Sequence, residues 1–179
     1  MKKIQRILEK ILADQPSYRL VQAKKAIFQD LSSSWLKTTT FPKDLREKLN
    51  KECPLEIRAK VFVSNDGKTV KALITLTDSL NTETVLMQHK GRNTICVSTQ
   101  VGCPLNCSFC ATGKMGFKRN LEESEIIEQI IFFARYLKQH NQKITNVVFM
   151  GMGEPFLNYK NVMGAIRYLN AKDTLNLGM

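Results

Sequence analysis

Apolar residues in the first fifty positions recur at helical spacing. Ile4, Ile7, Leu8, Ile11 and Leu12 predict an amphipathic helix over 2–13. Leu20, Val21, Ala23, Ala26, Ile27 and Leu31 predict a second over 19–31, broken by Ser32-Ser33-Ser34. A third, short helix is expected within 41–49, with Pro42 near its start. Trp35 and Phe41 read as core anchors rather than base-stacking platforms, and Cys53 as a small buried or linker residue. The period then changes from helix to strand. Polarity alternates over 56–64 and 69–77, and Asn65-Asp66-Gly67 between them is a strong hairpin turn. Residues 82–88 read as a further strand, and 94–100 as a strand running straight into a cysteine-rich loop.

Beyond that loop, Asn120 is expected to cap a helix with Glu122 and Glu123 in its first turn. Ile126, Ile127, Ile130, Ile131, Ala134 and Leu137 form its apolar side. Residues 144–150 are a β-branched run, as expected of a buried parallel strand, and it empties into Gly151-Met152-Gly153-Glu154-Pro155. Val162, Ala165, Ile166 and Leu169 mark a final helix. Residues 94–179 therefore predict two parallel βα units, and the fold class is α/β. Two units cannot close a barrel, and a two-stranded parallel sheet leaves its edges open. The expected organisation is a basic helical domain over 1–55, a β-hairpin extension over 56–93, and an incomplete βα core over 94–179.

Charge adds a partner class. The formal net charge is +11, and residues 1–60 hold 14 Lys and Arg against 7 Asp and Glu. A basic leading segment suits a polyanion, because neutralising phosphates releases counterions, and nucleic acid is preferred over a merely solvated basic face. No run approaches the length of a membrane span, and the start lacks an uninterrupted apolar core after Met1-Lys2-Lys3. Five cysteines, an odd number, argue against a secreted disulfide framework, so a reduced cytoplasmic chain is expected.

The chemistry centres on Gly102-Cys103-Pro104-Leu105-Asn106-Cys107-Ser108-Phe109-Cys110. Three thiolates on one loop leave a four-site iron–sulfur cube one ligand short, and an iron with an open position can do chemistry. A closed zinc site would need a fourth ligand, for which Cys96 or His89 is available. Gly153 and Glu154, after the next strand, allow close backbone approach and offer an acid to an ammonium group. Read alone, Glu83 is a solvated mid-strand acid and Cys96 a small buried hydrophobe.

The C-x3-C-x2-C spacing, with Phe109 before the last cysteine, resembles the signature of radical S-adenosylmethionine enzymes, and Gly-Met-Gly-Glu resembles their glycine-rich cofactor motif. More narrowly, Val97 to Cys110, Ala111-Thr112-Gly113, Gly116 to Leu121, Thr82 to Val85, and Ile144 to Pro155 with Asn158 resemble the ribosomal RNA adenine C2-methyltransferases. The resemblance implies an incomplete radical-SAM barrel, TIM-like in its βα order, and methylation at C2 of an adenine in 23S ribosomal RNA and in some transfer RNAs. It implies a 4Fe-4S cluster on Cys103, Cys107 and Cys110, and S-adenosyl-L-methionine at Gly153 and Glu154. Glu83 falls at the family's proton acceptor, and Cys96 at the cysteine that releases product through a transient disulfide. An electron donor such as flavodoxin or ferredoxin, a monomeric state and a cytoplasmic location are implied as well.

The sequence departs from the family in two respects: nothing after Cys110 is cysteine, so the methyl-carrying thiol is missing, and so are the further S-adenosylmethionine contacts expected on later strands. The expectation is a truncated N-terminal part that does not complete catalysis alone. Two alternatives stay open. One is a C8-specific methyltransferase sharing these motifs, the other a non-catalytic RNA-binding protein with a structural zinc.

Overall fold

A computed structural model describes residues 2–178, with side chains from residue 7 onward. The side chain of Ile4, expected on the first helix, lies outside the described residues. The chain divides into two compact units, one from residues up to 57 together with those from 166, the other from 58–165.

The first unit holds α1 (Lys2–Ile11), α2 (Tyr18–Phe28), a 3-10 turn (Trp35–Lys37) and α3 (Lys43–Glu52). Leu8, Ile11, Ala23, Ile27 and Leu49 are buried with Trp35, the side chain that a small helical core most needs to enclose. The Trp35 indole meets Phe41 edge-on at 5.9 Å and donates from Nε1 to the Cys53 carbonyl at 2.6 Å. Both aromatics are thus core anchors, as expected. α2 stops at Phe28, three residues before the expected Leu31. Leu31 takes a left-handed φ of 52°, and the Ser32 N–H turns back to the Ala26 carbonyl at 2.8 Å, satisfying one of the helix's last acceptors.

The second unit is built on a five-stranded sheet in the order β1-β2-β3-β4-β7. Its strands are β1 (Ala59–Val63), β2 (Thr69–Thr75), β3 (Asn81–His89), β4 (Arg92–Cys96) and β7 (Asn146–Val148). β1 to β4 run antiparallel in sequence order, while β7 lies parallel to β4. The hairpin turn forms where expected, closed by Val63 opposite Val70 with Gly67 at φ 70°. The hairpin and β3 continue the same sheet as the parallel pair, so β3 covers the edge of β4 that two βα units would leave open. One face is buried through Val70, Ala72, Ile74, Thr84, Leu86 and Ile95, and the opposite face is half-exposed.

Further elements differ from the sequence reading. The run expected over 144–150 as a buried strand forms only β7, and none of its three residues is buried. The strand expected over 94–100 stops at Cys96. Gln100–Gly102 instead forms a separate strand, β5, antiparallel to β6 (Phe117–Asn120). Asn120 consequently belongs to β6 opposite Gln100, and the cap of α5 (Glu123–Gln139) is Glu122. Glu122 and Glu125 form a reciprocal capping box, with the Glu122 N–H donating to the Glu125 carboxylate at 2.8 Å. A carboxylate also suits the positive end of the helix dipole better than a neutral amide. A 3-10 turn (Pro155–Asn158) and α6 (Tyr159–Asn170) follow β7.

Candidate functional site

After β4 the chain stays buried from Val97 to Gly102 and only then opens into the cysteine loop. The base of that loop is clamped on both sides by Gln100 opposite Asn120, Val101 opposite Arg119 and Gly102 opposite Phe117. Gly102 has φ 75°, and a Cβ there would collide with the Gly116 carbonyl, so only glycine lets the two ends of the loop meet. Arg119 braces this frame with bonds of 2.7 Å to Asp78 and of 2.7 and 2.8 Å to Glu125.

Cys103, Cys107 and Cys110 are free, half-exposed thiols within this frame. The Cys110 N–H donates to the Cys107 carbonyl at 3.0 Å, and Asn106 between them takes a left-handed φ of 46°. Backbone N–H groups of Gly113 and Thr112, in the short helix α4 (Ala111–Lys114), hold the Cys110 thiol below its ordinary value. The thiolate is the form that ligates metal. Three accessible thiols on a clamped loop, one favoured as thiolate by backbone donors, match the donor chemistry of an iron–sulfur cluster. Among the described residues, no three His, Cys, Asp or Glu side chains, the three cysteines included, gather closely enough to hold a single metal ion.

The Gly151–Glu154 turn is stitched to the segment just ahead of the cysteines. Gly153 has φ 95°, and a Cβ there would lie 2.5 Å from the Cβ of Gln100. Gln100 Oε1 accepts from the Glu154 N–H at 2.9 Å, and its Nε2 donates to Asn120 Oδ1 at 2.8 Å. The Met152 carbonyl accepts from the N–H groups of Thr99 and Gln100 at 2.8 and 3.2 Å. Ser98 Oγ accepts from the Met152 N–H at 2.8 Å and donates to the Glu83 carbonyl. Asn158 Nδ2 donates to the carbonyls of Thr99 and Leu121, each at 2.8 Å. Gln129 on α5 replaces the missing strand partner at Ser98, accepting from its N–H at 2.8 Å and donating to its carbonyl at 3.0 Å. Glu154 itself caps the 3-10 turn, its carboxylate accepting from the Phe156 N–H at 3.0 Å.

Glu83 and Cys96 share the half-exposed face of the sheet. Val85 pairs with Cys96 across β3 and β4, and Glu83 lies two residues before Val85 on the same side. The Glu83 carboxylate meets Lys71 Nζ at 3.3 Å. Burial pushes the Cys96 thiol up, opposed only in part by a bond from the Met150 backbone. The disulfide expected of Cys96 is not present in this structure, where its thiol is unbridged. His89, considered as a zinc ligand, sits exposed at the far end of β3 opposite Arg92.

Ser98, Gln100 and Gln129 were missed as site residues by sequence reasoning. Their signal was present as a polar run inside a presumed strand and a glutamine on the apolar stripe of α5. A buried polar side chain at such a position has to find partners.

Comparison with known proteins agrees with this layout. Residues 97–178 match the radical SAM superfamily. A Dictyoglomus turgidum protein, named a probable dual-specificity RNA methyltransferase RlmN, is 47% identical over 92% of this chain and 47% of its own length. The ribosomal RNA large subunit methyltransferase N of Nitrosopumilus maritimus is 39% identical over 96% of this chain and 52% of its own length. The crystal structure of a radical SAM methyltransferase from Sphaerobacter thermophilus superposes with a TM-score of 0.89. It is 40% identical, across 96% of this chain and 51% of that one. The chain spans about half the length of the curated relatives it matches.

Proposed function

We propose, from the match of residues 97–178 to the radical SAM superfamily, that this chain is the N-terminal part of an RNA methyltransferase acting at C2 of adenine. Cys103, Cys107 and Cys110 would hold a 4Fe-4S cluster, with Gly153 and Glu154 against S-adenosyl-L-methionine. When bound, that pair supplies one-electron chemistry able to activate a methyl group toward a carbon that is not nucleophilic.

Part of the remaining chemistry falls to residues of this chain. Gln100 ties the backbone of Glu154 to the segment leading into Cys103, so the two binding loops keep one fixed separation. Glu83 takes the C2 proton, its carboxylate held by Lys71 at 3.3 Å. Cys96, on the same face, presents the thiol that frees the product. The substrates are large-subunit ribosomal RNA and transfer RNA, and a flavodoxin or ferredoxin serves as electron donor to a monomeric enzyme in the cytoplasm. The observation that carries the reading is the clamped three-thiol loop bonded through Gln100 to the Gly-Met-Gly-Glu turn.

Anaerobic reconstitution with iron and sulfide tests it. About four irons per chain and a visible charge-transfer band, both lost in Cys107→Ala, are expected. A protein that takes up zinc and neither iron nor sulfide would overturn the enzyme reading. Mass mapping of the methylated adenine then separates C2 from C8.

A further inference from the structure

Two rows of residues cross the half-exposed face of the sheet. One runs Phe62, Lys71, Val85, Cys96 and Val148, each paired with the next across five strands. The neighbouring row runs Lys60, Leu73 and Glu83. Phe62 therefore stands three strands from Cys96 on the same face, roughly 14 Å away at ordinary strand spacing.

Phe62 is 43% exposed, although β1 is the outermost strand, where an open apolar ring invites unwanted pairing. Two ammonium groups lie near it, Lys60 Nζ at 5.2 Å and Lys71 Nζ at 5.5 Å from the ring centroid. Lys71 also bonds Glu83, so one side chain joins the aromatic ring to the candidate base.

We propose that Phe62, Lys60 and Lys71 form a stacking platform for a single-stranded RNA nucleotide flanking the adenine presented to Glu83 and Cys96. The proposal rests on the reading of this protein as an RNA-modifying enzyme. An aromatic ring stacks any base, and the lysines beside it can neutralise phosphates of the strand that carries that base. An acidic peptide would satisfy the lysines but leave the ring without a planar partner. The alignment of the rows carries the strand from Phe62 along the sheet toward Glu83 rather than across its buried face.

The test uses the full chain and a short fluorescein-labelled, adenine-containing single-stranded oligoribonucleotide, read by anisotropy. Phe62→Leu keeps an apolar residue on β1 but removes stacking, and affinity should fall about tenfold or more. Phe62→Trp should retain affinity, with its indole emission quenched on binding over the constant background of buried Trp35. Val63→Ala, on the opposite face of the same strand, should bind like the parent. Parent-like affinity of Phe62→Leu would overturn the platform while leaving the cluster test untouched. So would an equal loss in Val63→Ala, or a polyglutamate peptide that competes as well as RNA. Failure of cluster assembly would instead overturn the enzymatic reading, with the stacking measurement still standing.

Discussion

The Cys96 thiol illustrates how one residue's chemistry depends on neighbours far away in the chain. Its strand places it between Val85 and Val148, and lost hydration disfavours the thiolate more than the Met150 backbone bond restores it. The folded thiol thus has a higher pKa than the unfolded one. Its contribution to stability is complete below the unfolded pKa and is lost as pH rises through the folded value. Alkylation of Cys96, followed by peptide mass mapping, should reach half-maximal rate at a higher pH in the native protein than in denaturant. Coincident profiles would show that burial does not control this thiol. Glu83 could be singled out by resemblance from the sequence, but Lys71 could not. Twelve residues separate them, and only the β2–β3 register makes them partners.

At the scale of elements, the decisive event is the end of β4 at Cys96. A strand that stops must give its next backbone groups other partners, and here a side-chain amide from α5 supplies both for Ser98. Gln129→Leu would leave a buried N–H and a buried carbonyl without partners, at a cost of about 2–4 kcal/mol. Denaturant unfolding of the variant measures that loss. A change below about 0.5 kcal/mol, no more than surface substitutions produce, would mean the 97–100 segment does not need the clip. The helices, the hairpin turn and the β7–turn–α6 order were legible because each depends on residues within a few positions. β5 and β6 were not, since Phe117–Asn120 is four residues long, mostly exposed, and extended only because Gln100–Gly102 lies opposite.

Across the whole molecule, residues 1–60 carry +7 of the net charge of +11. If RNA is the partner, contacts to phosphates make affinity fall steeply with salt. Between 50 and 200 mM monovalent salt, binding of the labelled oligoribonucleotide should weaken more than tenfold. Salt-insensitive binding would remove phosphate neutralisation from the account. The sequence by itself determined the α/β class, the three-cysteine loop, the glycine-rich turn and the basic leading segment, because period, spacing and composition are local properties. Only the tertiary structure decided that the hairpin belongs to the same sheet as the parallel strands. It alone brought Phe62, Lys71, Glu83 and Cys96 onto one face and let Gln100 and Gln129 hold the two loops. Strand register and buried polar pairing join residues tens of positions apart, and no local pattern specifies which distant group completes them.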